Sequence, residues 1–155
     1  MNTLIVFCAK YLFIASLALY FVFAYKLWRT RRGELKSFLL TTIFSFGLAY
    51  IVAKISSHFF YNARPFVVEH IAPLIAHAAD NGFPSDHTLI TMAIASVIFI
   101  YQRKWGVVLA AIALVVGAAR VLAHVHHVED IVGSTVIACI SVAAISWVSR
   151  RYLTK

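Results

Sequence analysis

Charge is scarce in this sequence. Only 13% of its 155 residues are Asp, Glu, Lys or Arg, and only six are acidic. A soluble domain of this length needs a polar surface that such a composition cannot supply. Hydrophobic residues make up 62%, which excludes disordered and collagen-like chains on the same ground. Cysteine is nearly absent. Cys8 and Cys139 lie inside apolar runs, so they read as small buried hydrophobes, with neither a disulfide framework nor metal-ligand spacing. Internal repeats and low-complexity segments are lacking. So are the basic leader and small-residue cleavage site of a secretory signal, and the N-terminal run reads as a retained membrane segment. Proline occurs three times, at Pro65, Pro73 and Pro84, all in one connection.

What is there is long apolar sequence. Five stretches stand out, at about 4–28, 37–60, 85–101, 105–119 and 130–148. A helix needs about 20 residues to cross the hydrocarbon core. The first, second and fifth stretches meet that length. The third and fourth are shorter and must extend into their polar flanks or meet a thinner bilayer. The expectation is an all-α integral membrane bundle of about five transmembrane helices, forming one membrane-embedded domain over residues 1–155. A basic turn around Gly33 joins the first two spans.

The net charge is +8. Taken alone, that admits a nucleic-acid partner; the placement of the charges argues for membrane topology instead. With five spans, Lys26, Arg29, Arg31, Arg32, Lys36, Arg103, Lys104, Arg150, Arg151 and Lys155 fall on one face, which the positive-inside rule makes cytoplasmic. Glu69, Asp80, Asp86, Glu129 and Asp130 fall on the other, with Arg64, His87, Arg120 and His126. Two polar clusters, "FPSDHT" at 83–88 and "RVLAHVHHVED" at 120–130, therefore meet at the non-cytoplasmic surface.

Each cluster has a chemical reading beside a plain one. His126 and Asp130 are four apart, so on a helix they share a face, where the carboxylate would take the Nδ1 proton and leave Nε2 as base or nucleophile. Alternatively the pair only caps the last helix. Arg120 has no acidic neighbour in sequence, and a guanidinium fork suits phosphate. Ser85 is a candidate N-cap for the third helix, whose free N–H groups favour an anion. His87 in its first turn reaches the same point, or simply stays wet, as His70 and His77 would. Pro65 holds residues 62–66 out of helix geometry and sets Arg64 just beyond the second span. The "HVHH" spacing of His124, His126 and His127 could present imidazoles to zinc, but two fixed arginines would repel the ion. No metal and no cofactor is expected. The set specifies an anionic phosphoryl substrate and transfer through a histidine nucleophile.

These residues resemble a known family. "ARP" at 63–65, "PSDH" at 84–87 and Arg120-x5-His126-x3-Asp130 look like the three motifs of the type-2 phosphatidic acid phosphatase superfamily, in order and spacing. "HAADNGFPSDHT" at 77–88 and "RPF" at 64–66 look most like its bacterial undecaprenyl diphosphate phosphatases. The resemblance implies that His126 forms a phosphohistidine, that Asp130 orients it, and that His87 protonates the leaving oxygen. Arg64, Arg120 and Ser85 would hold the phosphoryl oxygens, with no metal. The family's lysine, seven residues before the arginine, is replaced here by Ser57. Lys54 or Lys10 is the candidate substitute. The family core commonly has six spans, against five here.

The resemblance thus implies a bacterial plasma-membrane enzyme that turns undecaprenyl diphosphate into undecaprenyl phosphate, with its site facing the periplasm or exterior. Its partners are a lipid phosphate or diphosphate and the bilayer, with no nucleic acid. Alternatives are another lipid (phosphatidylglycerol phosphate, phosphatidic acid or lipid A), a lipid phosphotransferase, or a non-enzymatic transporter.

Overall fold

A computed structural model describes residues 1–152 of the chain. Six helices follow one another: α1 (Asn2–Thr30), α2 (Arg32–Phe59), the one-turn α3 (Pro65–Val68), α4 (Asp86–Tyr101), α5 (Arg103–Leu122) and α6 (Val128–Tyr152). Among the described residues there is no strand, only an isolated bridge between Ala63 and Asn81. Four helices, α1, α2, α5 and α6, are long and apolar enough to cross a membrane.

α4 differs from that picture, and its length explains how. Its 16 residues rise about 24 Å, short of the roughly 30 Å hydrocarbon core. It has little need to meet lipid, because α1, α2, α5 and α6 all pack against it. Leu89, Met92, Ala93, Ile94, Val97 and Ile98 are buried in this central position. An all-round apolar sequence suits a helix enclosed on every side. The outer helices turn large apolar residues outward instead, Leu4, Phe21, Ile43, Ile140 and Trp147 among them, as a lipid-facing surface requires.

Several boundaries move. The expected turn around Gly33 contracts to a break at Arg31, where φ is −146° and ψ 60°. Gly33 lies within α2, and Arg31 pairs with Glu34 at 3.4 Å. Pro65 does not hold residue 66 out of helix geometry; it opens α3, since its fixed φ is already helical and its missing N–H is not needed at a first position. Cys139 is exposed on α6 and Cys8 half-buried, so neither is the buried hydrophobe expected. Lys155 lies outside the described residues.

The connection between α2 and α4 does not hang free. Leu74 and the buried Ile75 pack with Ala9, Ala119, Ala123 and Val125 in a small second core at one end of the bundle. Main-chain bonds from Phe66 to His124 (3.2 Å) and from Leu74 to Ala123 (3.1 Å) tie it to the α5–α6 turn. That docking brings Arg64 over His126.

Candidate active site

The turn between α5 and α6 forms the floor. His124 takes the left-handed conformation, φ 60°, donates its N–H to the Val121 carbonyl (2.9 Å), and accepts the Phe66 N–H on its own carbonyl. Its contribution is thus a backbone one. His127 Nε2 lies 3.0 Å from the Ala63 carbonyl and ties the same turn to the chain before α3. Between them His126 points inward, 2% exposed. Among the described residues no group of three His, Cys, Asp or Glu side chains converges as a metal site would require.

His126 and Asp130 meet, but not on a shared helical face. His126 precedes α6, and the fully buried Asp130 reaches back from its first turn. One carboxylate oxygen accepts the His127 main-chain N–H at 2.8 Å and lies 3.3 Å from His126 Nδ1. The other accepts Asn62 Nδ2 at 2.8 Å. Asp130 therefore caps α6 and touches the imidazole at once. Nδ1 is nearer still to the Gly82 carbonyl, at 2.9 Å.

These neighbours assign the tautomer. Nδ1 faces only acceptors, a carbonyl and a carboxylate, so it carries the proton. Nε2 faces only donors, Arg64 Nη1 at 3.3 Å and Arg120 Nη2 at 3.4 Å. It keeps its lone pair. Burial lowers the proton affinity of His126, and the two guanidiniums lower it further, against the hydrogen bond to Asp130, which raises it. The net shift is downward, and the ring is neutral near pH 7.

The two arginines differ in how they are held. Arg64, 5% exposed, is strapped in place: Nε donates to Asp80 (2.8 Å), Nη1 to the Val125 carbonyl (2.7 Å), and Nη2 to the Asn81 carbonyl (3.3 Å). Its hydrogen bond holds the exposed Asp80 carboxyl below the usual range. Arg120, 3% exposed, makes no salt bridge among the described residues, and its Nε is enclosed without a partner. A buried cation left this way is costly unless an anion arrives.

Above the two guanidiniums is a polar cavity of about 280 Å³, and His87, Lys54 and Ser57 line it with Arg64, Arg120 and His126. His87 sits on the second residue of α4 against the ring of Phe13, centroids 4.7 Å apart. Lys54 lies beside Tyr50, its ammonium 5.5 Å from the ring centre. Lys10 is exposed on α1 and is not among the lining residues. Ser85 is not among them either: it is fully buried, and its hydroxyl accepts from Thr88 at 3.2 Å rather than capping α4.

Some residues that build the site carried no chemical signal in the sequence. Asn81 accepts the N–H groups of Asn62 (2.9 Å) and Phe83 (3.0 Å) and donates to the carbonyls of Ser57 and Phe60 (both 3.0 Å), closing the end of α2. Gly82 leaves room for Asp130: a Cβ there would lie 3.0 Å from its Oδ2. The adjacent Asn81-Gly82 pair is a turn signal, but nothing local says which carbonyl it aims at His126.

An acceptor nitrogen lies under two buried guanidiniums at the end of an apolar helical bundle, an arrangement whose charge and donors suit an anion. The profile of the PAP2 superfamily matches residues 38–154, and the chain belongs to that superfamily, whose members include membrane lipid phosphatases. It is 29% identical over 155 residues to the bacitracin transport permease protein BcrC of Bacillus licheniformis, covering 97% of this chain and 73% of that one. It is 30% identical over 141 residues to the undecaprenyl-diphosphatase BcrC of Bacillus subtilis, covering 90% and 70%. The fold is similar to the crystal structure of Aquifex aeolicus LpxE, with a TM-score of 0.75, 22% identity, and 95% and 87% of the two chains covered. The chain is a multi-pass membrane phosphatase.

Proposed function

We propose that this protein hydrolyses undecaprenyl diphosphate to undecaprenyl phosphate and inorganic phosphate through a phosphohistidine at His126, on the non-cytoplasmic face of a bacterial plasma membrane. The observation that carries the chemistry is the acceptor Nε2 between two buried guanidiniums, one of them with its Nε unpartnered. The name of the Bacillus subtilis relative supports the substrate.

Arg120, Arg64 and the free N–H groups at the start of α4 receive the terminal phosphoryl oxygens. His126 Nε2 attacks phosphorus, and the bond to the bridging oxygen breaks. Burial and the neighbouring Arg120 disfavour a charged His87 in the free chain; the negative charge of the bound diphosphate offsets both, and the protonated ring gives its proton to that oxygen, releasing undecaprenyl phosphate. Asp130 and the Gly82 carbonyl hold the Nδ1 proton and stabilise the charge that develops on the ring. Water then attacks phosphorus and His87 takes its proton. The P–N bond breaks, and phosphate leaves. Lys54 contributes positive charge at the cavity mouth in place of the family lysine. The prenyl chain stays in the bilayer.

The name of the Bacillus licheniformis relative raises transport as a second reading. A transport path needs polar groups at successive depths. The buried ionisable residues Arg64, Arg120, His126 and Asp130 all belong to one end of the bundle, and hydroxyls such as Ser16, Ser45 and Ser141 are the buried polar groups elsewhere.

Phosphate release from undecaprenyl diphosphate in detergent, with excess chelator, tests the proposal. The native chain should release phosphate, and His126→Ala should lower the rate by roughly three orders of magnitude or more. Release that survives His126→Ala would remove the nucleophile assignment. Release abolished by the chelator would remove the metal-free mechanism.

A further inference from the structure

His77 lines the same cavity and has no part in the steps above. Its ring centre lies 6.0 Å from that of His126, with the planes at 76°. The segment that carries it is anchored rather than loose. Ile75, two residues earlier, is buried in the second core, and the Leu74 N–H bonds to the Ala123 carbonyl. His77 is thus held against the nucleophile from the side of the α2–α4 connection, a wall that neither His87 nor Lys54 occupies in the chain.

Its own hydrogen bonding is incomplete. Nδ1 is enclosed by protein and has no hydrogen-bond partner. Buried polar atoms are nearly always paired, and an exception calls for a reason. A half-turn about Cβ–Cγ, a broad two-fold torsion, exchanges Nδ1 with Cδ2 and re-aims the nitrogens at little cost. Burial lowers the proton affinity of the ring, and Arg64 and Arg120 lower it further, against an interaction with the Ala78 main chain, which raises it. Near neutral pH the ring therefore carries one N–H and one lone pair. A neutral donor adds direction to a site already holding two fixed cations, without adding to their mutual repulsion.

In the proposed reaction, the polar group delivered to this wall is the phosphoryl unit that bonds to His126. We infer that His77 is a further substrate-contacting residue, whose imidazole N–H donates a hydrogen bond to a non-bridging oxygen of the phosphoryl group that His126 attacks. The inference rests on the phosphatase reading above. It adds a neutral side-chain donor to the phosphoryl cradle, one that contributes geometry rather than charge.

Two measurements on the purified full chain in detergent test it. The first is inorganic phosphate affinity, read by titration calorimetry, which needs no lipid. The second is kcat/KM for undecaprenyl diphosphate. His77→Ala should weaken phosphate binding and lower kcat/KM, each by about tenfold to a hundredfold, the range of one hydrogen bond to a charged group. His77→Gln, which keeps an N–H donor, should recover most of both, with the thermal midpoints of all three proteins alike. Native-like phosphate affinity in His77→Ala would overturn the assignment. So would a Gln variant as impaired as the Ala variant, or a loss that tracks a fallen thermal midpoint. A native chain that binds phosphate in a His77-dependent way but leaves undecaprenyl diphosphate intact would keep His77 in the cradle and reject the lipid assignment alone.

Discussion

At His126, protonation and the proposed attack on phosphorus are opposed. A protonated Nε2 cannot attack phosphorus. The shift on His126 is downward, so the neutral ring persists to lower pH than an ordinary histidine, whose pKa is about 6.5. The sign follows: kcat/KM should hold as pH falls through 6.5 and drop only below it, because this parameter reports the free enzyme. The hydrogen bond to Asp130 favours the charged ring, so Asp130→Asn should move the acid limb further down. The same variant should lower the rate by roughly 10²–10⁴-fold, since it no longer fixes the tautomer or supports the developing charge. pH–rate profiles of both proteins check this. A limb at or above pH 6.5 in the native chain, or one displaced upward in Asp130→Asn, would contradict the assignment.

At the scale of elements, α4 is the part most exposed to small changes, since it is packed on every side. It turns into α5 at Gln102, and Gly106 lies against the last turns of α4. A Cβ at Gly106 would lie 2.3 Å from Phe99 Cα, which is backbone and cannot swing aside. Gly106→Ala should therefore push the two helices apart and destabilise the fold by about 1–3 kcal/mol. Gly47 on α2 has nothing within 4 Å of the same atom. Gly47→Ala should be neutral or stabilising by up to about 1 kcal/mol, from helix propensity alone. Thermal midpoints in detergent distinguish the two. Equal effects would mean that the close α4–α5 contact contributes little to stability. Because the start of α4 carries His87 and the end of α5 carries Arg120, Gly106→Ala should also reduce activity at temperatures where the protein is still folded.

At the scale of the whole molecule, the two ends carry different charge. Arg31, Lys36, Arg103 and Lys104 lie at one end, and the cavity with Glu69 and Asp80 lies at the other. The orientation proposed above, with the cavity outward, is the one the positive-inside rule favours. Single-cysteine variants test this in a background with Cys8 and Cys139 changed to Ala. Glu69 and Lys36 are both exposed. Glu69→Cys should react with a membrane-impermeant maleimide in intact cells, and Lys36→Cys only after permeabilisation. The reverse pattern would place the cavity in the cytoplasm and remove the source of substrate assumed here.

The amino-acid sequence by itself determined the membrane class, the all-helical architecture and the grouping of Arg64, His87, Arg120, His126 and Asp130 at one end. Those follow from length, apolar composition and charge placement, which need no knowledge of how the helices pack. It also carried the motif order on which the family resemblance rests. The tertiary structure decided how these groups meet. His126 lies in a turn rather than on α6, so a rule for spacing on a helix described its contact with Asp130 by the wrong geometry. The Gly82 carbonyl, Asn62 and Asn81 come to the site from the α2–α4 connection, whose path no periodicity encodes. α4 could be shorter than a bilayer because other helices, not lipid, surround it. Partners distant in sequence are chosen by packing, and packing is settled only when the whole chain has found its neighbours.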